Sequence, residues 1–217
     1  MTETIRLSDY RPFTHRVESV ELLFRLHPTQ TRVMARLKLS PNPARPGHHD
    51  LRLDGENLSL AAVQIDGHPL PVVPDETGLT IPADLVPQGG FTLETEVLIA
   101  PEGNTALEGL YMSNGMYCTQ CEAEGFRKIT FYPDRPDVMA PFRVRIESDL
   151  PVLLSNGNPV GRGQGWAEWD DPWPKPAYLF ALVAGDLVAH RDHFTPASGR
   201  PVDRNIWVRP GDEGKCA

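Results

Sequence analysis

Apolar and polar residues alternate along much of this chain. The segments VESVELLFRLHP (17–28) and TRVMARLKLSP (31–41) each place an apolar residue at every second position, as in Val20, Leu22 and Phe24. Alternation with a period of two is typical of β-strands that bury one face. The short linker between the two segments therefore predicts a β-hairpin.

Later segments repeat the alternation and are separated by turn residues. Asp66 and Gly67 form a favoured two-residue hairpin turn within one of them. Helical periodicity is nearly absent, and we expect at most a turn or two of helix near 120–127 and 136–140. The other alternating segments are 58–70, 78–85, 89–101, 142–157 and 165–187.

Proline content supports the same fold class. The chain contains 22 prolines among 217 residues, about twice the usual share. Proline removes a backbone donor and fixes φ, so it shortens strands and disfavours long helices. We therefore predict an all-β protein with very little helix, built as a saddle-like β-sandwich of large twisted antiparallel sheets.

A change in composition suggests a domain boundary close to residue 198. The segment TPASGRP (195–201) is rich in small residues and proline, and only one short apolar strand, around Trp207, follows it. A single strand cannot satisfy its own backbone hydrogen bonds. We therefore expect residues 1–198 to form one β domain and residues 199–217 to begin a second, incomplete domain.

The charge and apolar content limit the possible partners. The net charge is −8, from 21 basic and 29 acidic residues, which disfavours binding to nucleic acid. No apolar run approaches the roughly 20 residues needed to span a bilayer. The first residues do not resemble a secretory signal, and three cysteines suit a reducing compartment. We expect a cytoplasmic protein that binds neither nucleic acid nor membrane.

The segment CTQCEAEGFR (118–127) contains the most distinctive cluster of polar residues. Cys118 and Cys121 have the spacing of half a zinc site or of a redox dithiol, but the only other cysteine is Cys216. The histidines show no paired ligand spacing, and the surrounding pattern is β rather than βαβ. Structural free cysteines are the better interpretation, and we expect no metal ligand in this chain.

Motifs for catalysis are missing from these residues. There is no G-x-S-x-G, H-E-x-x-H, phosphate loop or dinucleotide fingerprint. Glu122 and Glu124 remain as candidates, and on an extended strand they would share one face. From spacing alone, these two carboxylates are more readily interpreted as solvated, or as paired with Arg127 and Lys128. We expect no catalytic residue in this chain.

The central segment ALEGLYMSNGMYCTQCEAEGFRKITFYPDRPDVMAPF (106–142) resembles the first domain of the bacterial aminopeptidase N family, the zinc-dependent alanyl aminopeptidases. The segments RLSDYRPF (6–13), LLSNGNPV (153–160) and WDDPWPKPAYLFALVAGDL (169–187) are similar to the same family. The resemblance extends in order along essentially the whole chain.

The resemblance implies a saddle-like β domain that precedes a thermolysin-like catalytic domain. The parent protein would be a hydrolase, a metalloprotease that releases N-terminal amino acids from peptides. Its zinc would be held by H-E-x-x-H and a distant Glu, outside this chain. The expected partners are the peptide substrate and the missing catalytic domain, and the fragment alone is expected to be inactive.

In this family a Gln-x-Glu pair contacts the α-amino group of the substrate, and the matching residues here are Gln120 and Glu122. A peptide α-amine has a pKa near 8 and is mostly ammonium at neutral pH. A carboxylate and an amide oxygen are suitable acceptors for its three donors. A charge-assisted hydrogen bond of this kind contributes roughly 1.5–3 kcal/mol. The resemblance gives Glu124 no such role, which leaves it as a support of the loop.

A second hypothesis is a stand-alone β-sandwich that acts as a binding or interaction module without peptidase activity. The same scaffold could serve this purpose without a protease domain. The downstream reading frame distinguishes the two hypotheses, because only the first requires G-x-M-E-N and H-E-x-x-H motifs after residue 217.

Overall fold

The computed structural model describes residues 6–216, so residues 1–5 and 217 of the two expected domains lie outside that range. The described residues form β-strands joined by turns and short 3-10 helices, without an α-helix among them, which confirms the predicted all-β class. The strands are β1 (His15–Arg25), β2 (Thr31–Pro41), β3 (Leu51–Asp54), β4 (Ser59–Ile65), β5 (His68–Pro69), β6 (Gly78–Ile81), β7 (Phe91–Ile99), β8 (Gly109–Ser113), β9 (Met116–Gln120), β10 (Met139–Glu147), β11 (Val152–Ser155), β12 (Asn158–Gly163), β13 (Trp166–Pro176), β14 (Leu182–Gly185), β15 (Val188–Phe194) and β16 (Val202–Val208). The 3-10 helices are Leu7–Asp9, Ala83–Leu85, Pro101–Gly103, Phe126–Lys128, Ala177–Leu179 and Glu213–Cys216.

The expected helical turns are only partly present. Phe126–Lys128 forms a 3-10 turn that overlaps the end of the first expected region, 120–127. Near 136–140 a single turn at residues 136–137, in which the Val138 amide donates to the Arg135 carbonyl at 3.2 Å, precedes β10, which begins at Met139. Within residues 6–216, no helix has the length and apolar character that a membrane crossing requires.

An eight-stranded sheet has the strand order β12-β13-β10-β1-β2-β7-β4-β5. Its neighbouring strands are antiparallel except for β1 and β10, which run parallel. In β1, Val20, Leu22 and Phe24 are buried, whereas Arg25 is exposed at the end of the strand. The alternation seen in the sequence therefore corresponds to one core face and one solvent face.

Both predicted hairpins are confirmed. β1 and β2 pair antiparallel, with Leu22 opposite Ala35. Asp66 and Gly67 connect β4 to β5 and have φ values of 49° and 79°. Positive φ at both central positions is the geometry that favours an Asp-Gly turn.

A four-stranded sheet with the order β11-β14-β9-β8 shares one hydrophobic core with the larger sheet. Aromatic rings fill the centre of this core. The ring of Phe180 lies 5.9 Å from that of Phe24 and 5.3 Å from that of Phe126, measured between centroids. Each fully buried side chain of this size stabilises the fold by roughly 1.5–3 kcal/mol. This packing holds the four-stranded sheet, and with it β9, against the rest of the domain.

Two small sheets complete the fold. β3 pairs with β6, and β15 pairs with β16 along their full length from Val188–Val208 to Phe194–Val202. The β15–β16 ribbon is mostly exposed. It spans the expected boundary at residue 198, with one strand on each side, and the division into two domains stays a prediction.

Candidate functional site at the end of strand β9

Gln120 and Glu122 lie at the end of β9 and in the turn that follows it. β9 pairs with β8 on one side and with β14 on the other. Tyr117 anchors the strand in the core. The hydroxyl of Thr119 accepts a hydrogen bond from the backbone amide of Leu182 at 2.8 Å, which fixes the end of the strand. Gln120 is the last residue of β9, and its side chain is exposed.

A tight turn follows β9 because Gly125 packs against the end of the strand. The Gly125 amide donates to the Cys121 carbonyl at 2.9 Å. A Cβ atom on Gly125 would lie 2.3 Å from the carbonyl oxygen of Gln120, so only glycine allows the chain to fold back this closely. Glu122 and Glu124 stand on this turn and not on an extended strand, which is the condition under which they would share one face.

The structure brings Gln120 and Glu122 together. The side-chain amide nitrogen of Gln120 donates to the backbone carbonyl of Glu122 at 3.3 Å. This contact uses the donor end of the Gln120 amide and leaves its oxygen available as an acceptor. The peptide bond between Glu122 and Ala123 is cis. The side chains of Gln120 and Glu122 are both exposed.

The carboxylate of Glu122 has no hydrogen bond or ion pair with any residue in the described range. The two nearest basic residues in the sequence are engaged elsewhere. Arg127 lies 3.3 Å from Glu124, and Lys128 binds Glu108, a hydrogen bond that raises the pKa of Lys128. Of the two interpretations that spacing allowed, solvation applies to Glu122 among the described residues, whereas ion pairing with Arg127 applies to Glu124.

Arg127 is held in place by the buried carboxylate of Asp134. The backbone amide and Nε of Arg127 donate to Oδ2 of Asp134 at 3.1 and 3.2 Å, and Nη2 donates to the Asp134 carbonyl at 3.2 Å. The Asp134 amide in turn donates to the carboxylate of Asp54 at 2.9 Å. Burial raises the pKa of the Asp134 carboxyl, against the opposing effect of the Arg127 hydrogen bonds.

Three acidic residues around Arg127 and Lys128 were not predicted from the sequence. Asp54 is the last residue of β3, Glu56 follows that strand, and Glu108 precedes β8. Glu56 lies 3.9 Å from Arg127 and 3.7 Å from Lys128. Because these residues are far from 127 and 128 in the sequence, local spacing carried no signal for them.

The cysteines of this segment have the character of structural residues. Cys118, Cys121 and Cys216 are free thiols. Burial raises the pKa of Cys121 to about 12 and also raises the pKa of Cys118. A protonated thiol is a poor metal ligand and a poor nucleophile. Within residues 6–216, no group of three or more His, Cys, Asp or Glu is placed to hold a metal ion.

Two surface clefts lie away from the β9 turn. One, of about 930 Å³, runs between the β15–β16 ribbon and the β11–β13 strands, and the other, of about 630 Å³, lies on the solvent face of the eight-stranded sheet. Neither cleft is lined by Gln120 or Glu122. The described residues present these two side chains on an open surface.

The chain is similar to the first part of several peptidases. Residues 32–179 match the model of the peptidase M1 N-terminal domain. Aminopeptidase N of Caulobacter vibrioides is 48% identical over 224 residues, which cover 99% of this chain and 26% of that protein. The structure of Legionella pneumophila aminopeptidase A in complex with aspartic acid has a TM-score of 0.89 at 35% identity, covering 98% of this chain and 26% of that one.

A more distant structure shares the fold. An M1 zinc metallopeptidase variant from Deinococcus radiodurans, bound to a Tyr-Ser-Ala substrate, has a TM-score of 0.74 at 18% identity and covers 91% of this chain and 48% of that one. The present chain spans about a quarter of the length of the Caulobacter and Legionella proteins.

Proposed function

This chain belongs to the family of peptidase M1 N-terminal domains, and we propose that it forms the part of a zinc aminopeptidase that recognises the free N-terminus of a peptide. In this proposal Glu122 and Gln120 bind the α-amino group of the substrate. A catalytic domain outside residues 6–216 hydrolyses the first peptide bond. The complex of the Legionella relative with aspartic acid, a ligand that carries a free α-amine, supports this substrate class.

The observation that carries the proposal is the unpaired carboxylate of Glu122. Arg127 and Lys128 follow it closely in the sequence, yet other carboxylates bind both of them. Among the residues that the structure describes, Glu122 therefore keeps its charge available for an external cation. The acceptor oxygen of Gln120 lies on the same exposed surface.

An α-ammonium group fits these two acceptors. Its three N–H donors suit one carboxylate and one amide oxygen. An internal segment of a peptide carries no ammonium and cannot make these charge-assisted hydrogen bonds. Binding of the terminal ammonium fixes how far the bond that is cut lies from the end of the peptide. It accounts for exopeptidase selectivity and leaves bond breaking to other residues.

The residues described here do not fit a zinc site. Between residues 6 and 216, no cluster of ligand side chains is available, and the Cys121 thiol is protonated at neutral pH. One structurally similar protein is a zinc metallopeptidase. We therefore place the zinc ligands of the parent enzyme outside this chain, in a domain that residues 199–217 begin. The isolated chain is expected to hydrolyse no peptide.

A cytoplasmic location is part of the same proposal. The free thiols of Cys118, Cys121 and Cys216 are consistent with a reducing compartment.

The test uses the full-length protein, with the sequence downstream of residue 217 restored. Glu122→Gln preserves the size of the side chain and removes its charge. We expect kcat/KM for an aminoacyl substrate to fall by about 10- to 100-fold, the equivalent of one charge-assisted hydrogen bond. Glu21→Gln is a matched control, because Glu21 lies on the eight-stranded sheet, 3.6 Å from Arg36. An unchanged kcat/KM in Glu122→Gln would remove this residue from the site.

A further inference from the structure

Glu124 makes a contact that separates it from Glu122. Although its side chain is 68% exposed, its carboxylate lies 3.3 Å from Nη2 of Arg127. Glu122 stands two residues earlier on the same turn and has no such partner within the described residues. The turn therefore carries one paired and one unpaired carboxylate.

The partner of Glu124 is itself firmly anchored. The side chain of Arg127 is 15% exposed and that of Asp134 only 2%. Three hydrogen bonds join Arg127 to Asp134, and the Arg127 carbonyl accepts a fourth from the Glu56 amide at 3.0 Å. Arg127 thus provides a fixed point on the domain to which Glu124 ties the turn.

The turn is short enough for this tie to affect Glu122. It begins at Cys121, which is buried, and ends at Gly125, which packs on the end of β9. Only Glu122, Ala123 and Glu124 lie between these two points, and all three are exposed. The contact between Glu124 and Arg127 is the one side-chain ion pair that these three residues make within the described part of the chain.

Glu124 also pairs with Arg127, a cation that follows the turn directly in the sequence. Without it, Nη2 of Arg127 would keep the Asp134 carbonyl as an acceptor but would lose its carboxylate partner. Glu122 would then be the remaining carboxylate on that turn. A cation within the protein would compete with the ammonium of the substrate for the same carboxylate.

We propose that Glu124 is a positioning residue, which holds the β9 turn through Arg127 and keeps the Glu122 carboxylate free for the substrate amine. This inference rests on the proposed function of Glu122. It assigns Glu124 no contact with the substrate and no part in bond breaking. The effect of a change at Glu124 on kcat/KM must therefore depend on the presence of Glu122.

A double-mutant cycle in the full-length protein tests this dependence. The four proteins are the wild type, Glu122→Gln, Glu124→Gln and the variant with both changes, assayed with alanine para-nitroanilide. In the wild-type background we expect Glu124→Gln to lower kcat/KM by about three- to fivefold, mostly through KM, in line with one partly exposed ion pair. In the Glu122→Gln background we expect the same change to have no further effect.

The unfolding temperature of each protein serves as the control for folding. Glu124→Gln is expected to leave it nearly unchanged, and Glu124→Asp, which retains the charge, should recover part of the lost kcat/KM. Equal losses in both backgrounds, or no loss in the wild-type background, would overturn the positioning role while the function of Glu122 stands. If Glu122→Gln itself has no effect, the proposed function fails instead.

Discussion

The backbone amide and the side-chain Nε of Arg127 donate to the same carboxylate oxygen of Asp134, at 3.1 and 3.2 Å. This pair closes the segment 127–134 into a compact corner directly after the β9 turn. The corner is fixed to β3, because Asp54 and Tyr132 exchange two backbone hydrogen bonds, of 2.8 and 3.1 Å. The mostly buried ion pair of Arg127 and Asp134 thus supports the exposed turn that carries the candidate site.

Removal of this support should destabilise the domain. In Asp134→Ala, the mostly buried guanidinium of Arg127 loses its principal partner, and we expect the free energy of unfolding to fall by about 2–4 kcal/mol. Urea denaturation of the chain measures this change. Asp192→Ala is the matched control, because Asp192 pairs with Arg204 on the exposed ribbon and should matter much less. Equal effects of the two changes would contradict the account of the corner.

The turn depends on the absence of a side chain at residue 125. In Gly125→Ala, the new Cβ would lie 2.3 Å from the Gln120 carbonyl oxygen and 2.9 Å from Cα of Cys121. Because both contacts are with backbone, we expect a loss of stability of about 1–3 kcal/mol and a displaced Glu122. Gly89→Ala provides the control, since a Cβ there meets nothing within 4 Å. Thermal unfolding of both variants makes the comparison, and a Gly125→Ala protein as stable as the control would contradict the packing argument.

His15 should make the stability of the domain depend on pH. Burial lowers the pKa of His15 from its usual value of 6.5, and the neighbouring His49 and His48 lower it further. Below about pH 6.5 the unfolded chain binds a proton that the folded His15 resists, so stability falls as the pH decreases. Its Nδ1 lies 3.0 Å from the Thr14 hydroxyl, and its ring packs edge-on against Phe91.

Denaturation curves at pH 7 and pH 5 measure this dependence. We expect the wild type to lose stability between the two values, and His15→Gln, which does not titrate, to lose less. If the two proteins show the same change with pH, the folded state does not exclude the proton from His15.

Much of the fold follows from local sequence pattern. The alternation in 17–28 and 31–41 predicts β1, β2 and the hairpin between them, since a strand that buries one face needs an apolar residue at every second position. Asp66 and Gly67 predict the β4–β5 turn, because both residues tolerate positive φ. In these cases the structure depends on residues that are close in the sequence.

The parts that local pattern does not predict depend on distant residues. β1 runs parallel to β10, with Val20 opposite Phe142, a pairing that no short-range signal indicates. The sequence indicates a turn near 120–127, but the tight path from Cys121 to Gly125 depends on the fit of Gly125 against the end of β9. A Cβ on Gly125 would also lie 3.0 Å from the Gly109 amide of the neighbouring strand.

In the candidate site, too, some features follow from the sequence and others depend on residues that are distant in the sequence. Family resemblance pointed to Gln120 and Glu122, whereas spacing alone left open whether Glu122 is solvated or paired with Arg127 and Lys128. Glu108 binds Lys128, and Glu56 lies 3.7 Å from it. These acidic residues come from other elements of the fold, so only the tertiary structure shows that Glu122 is left unpaired among the described residues.

The most direct test of the account compares two ligands that differ only at the α-position. Methionine carries an ammonium group there, and its 2-hydroxy analogue carries a hydroxyl of similar size. With the full-length protein, we expect methionine to be the stronger competitive inhibitor by at least about tenfold, from one charge-assisted hydrogen bond. Glu122→Gln should lose most of this preference, whereas Glu21→Gln should keep it. If Glu122→Gln retains the full preference for the ammonium ligand, the central claim that Glu122 binds the substrate amine is wrong.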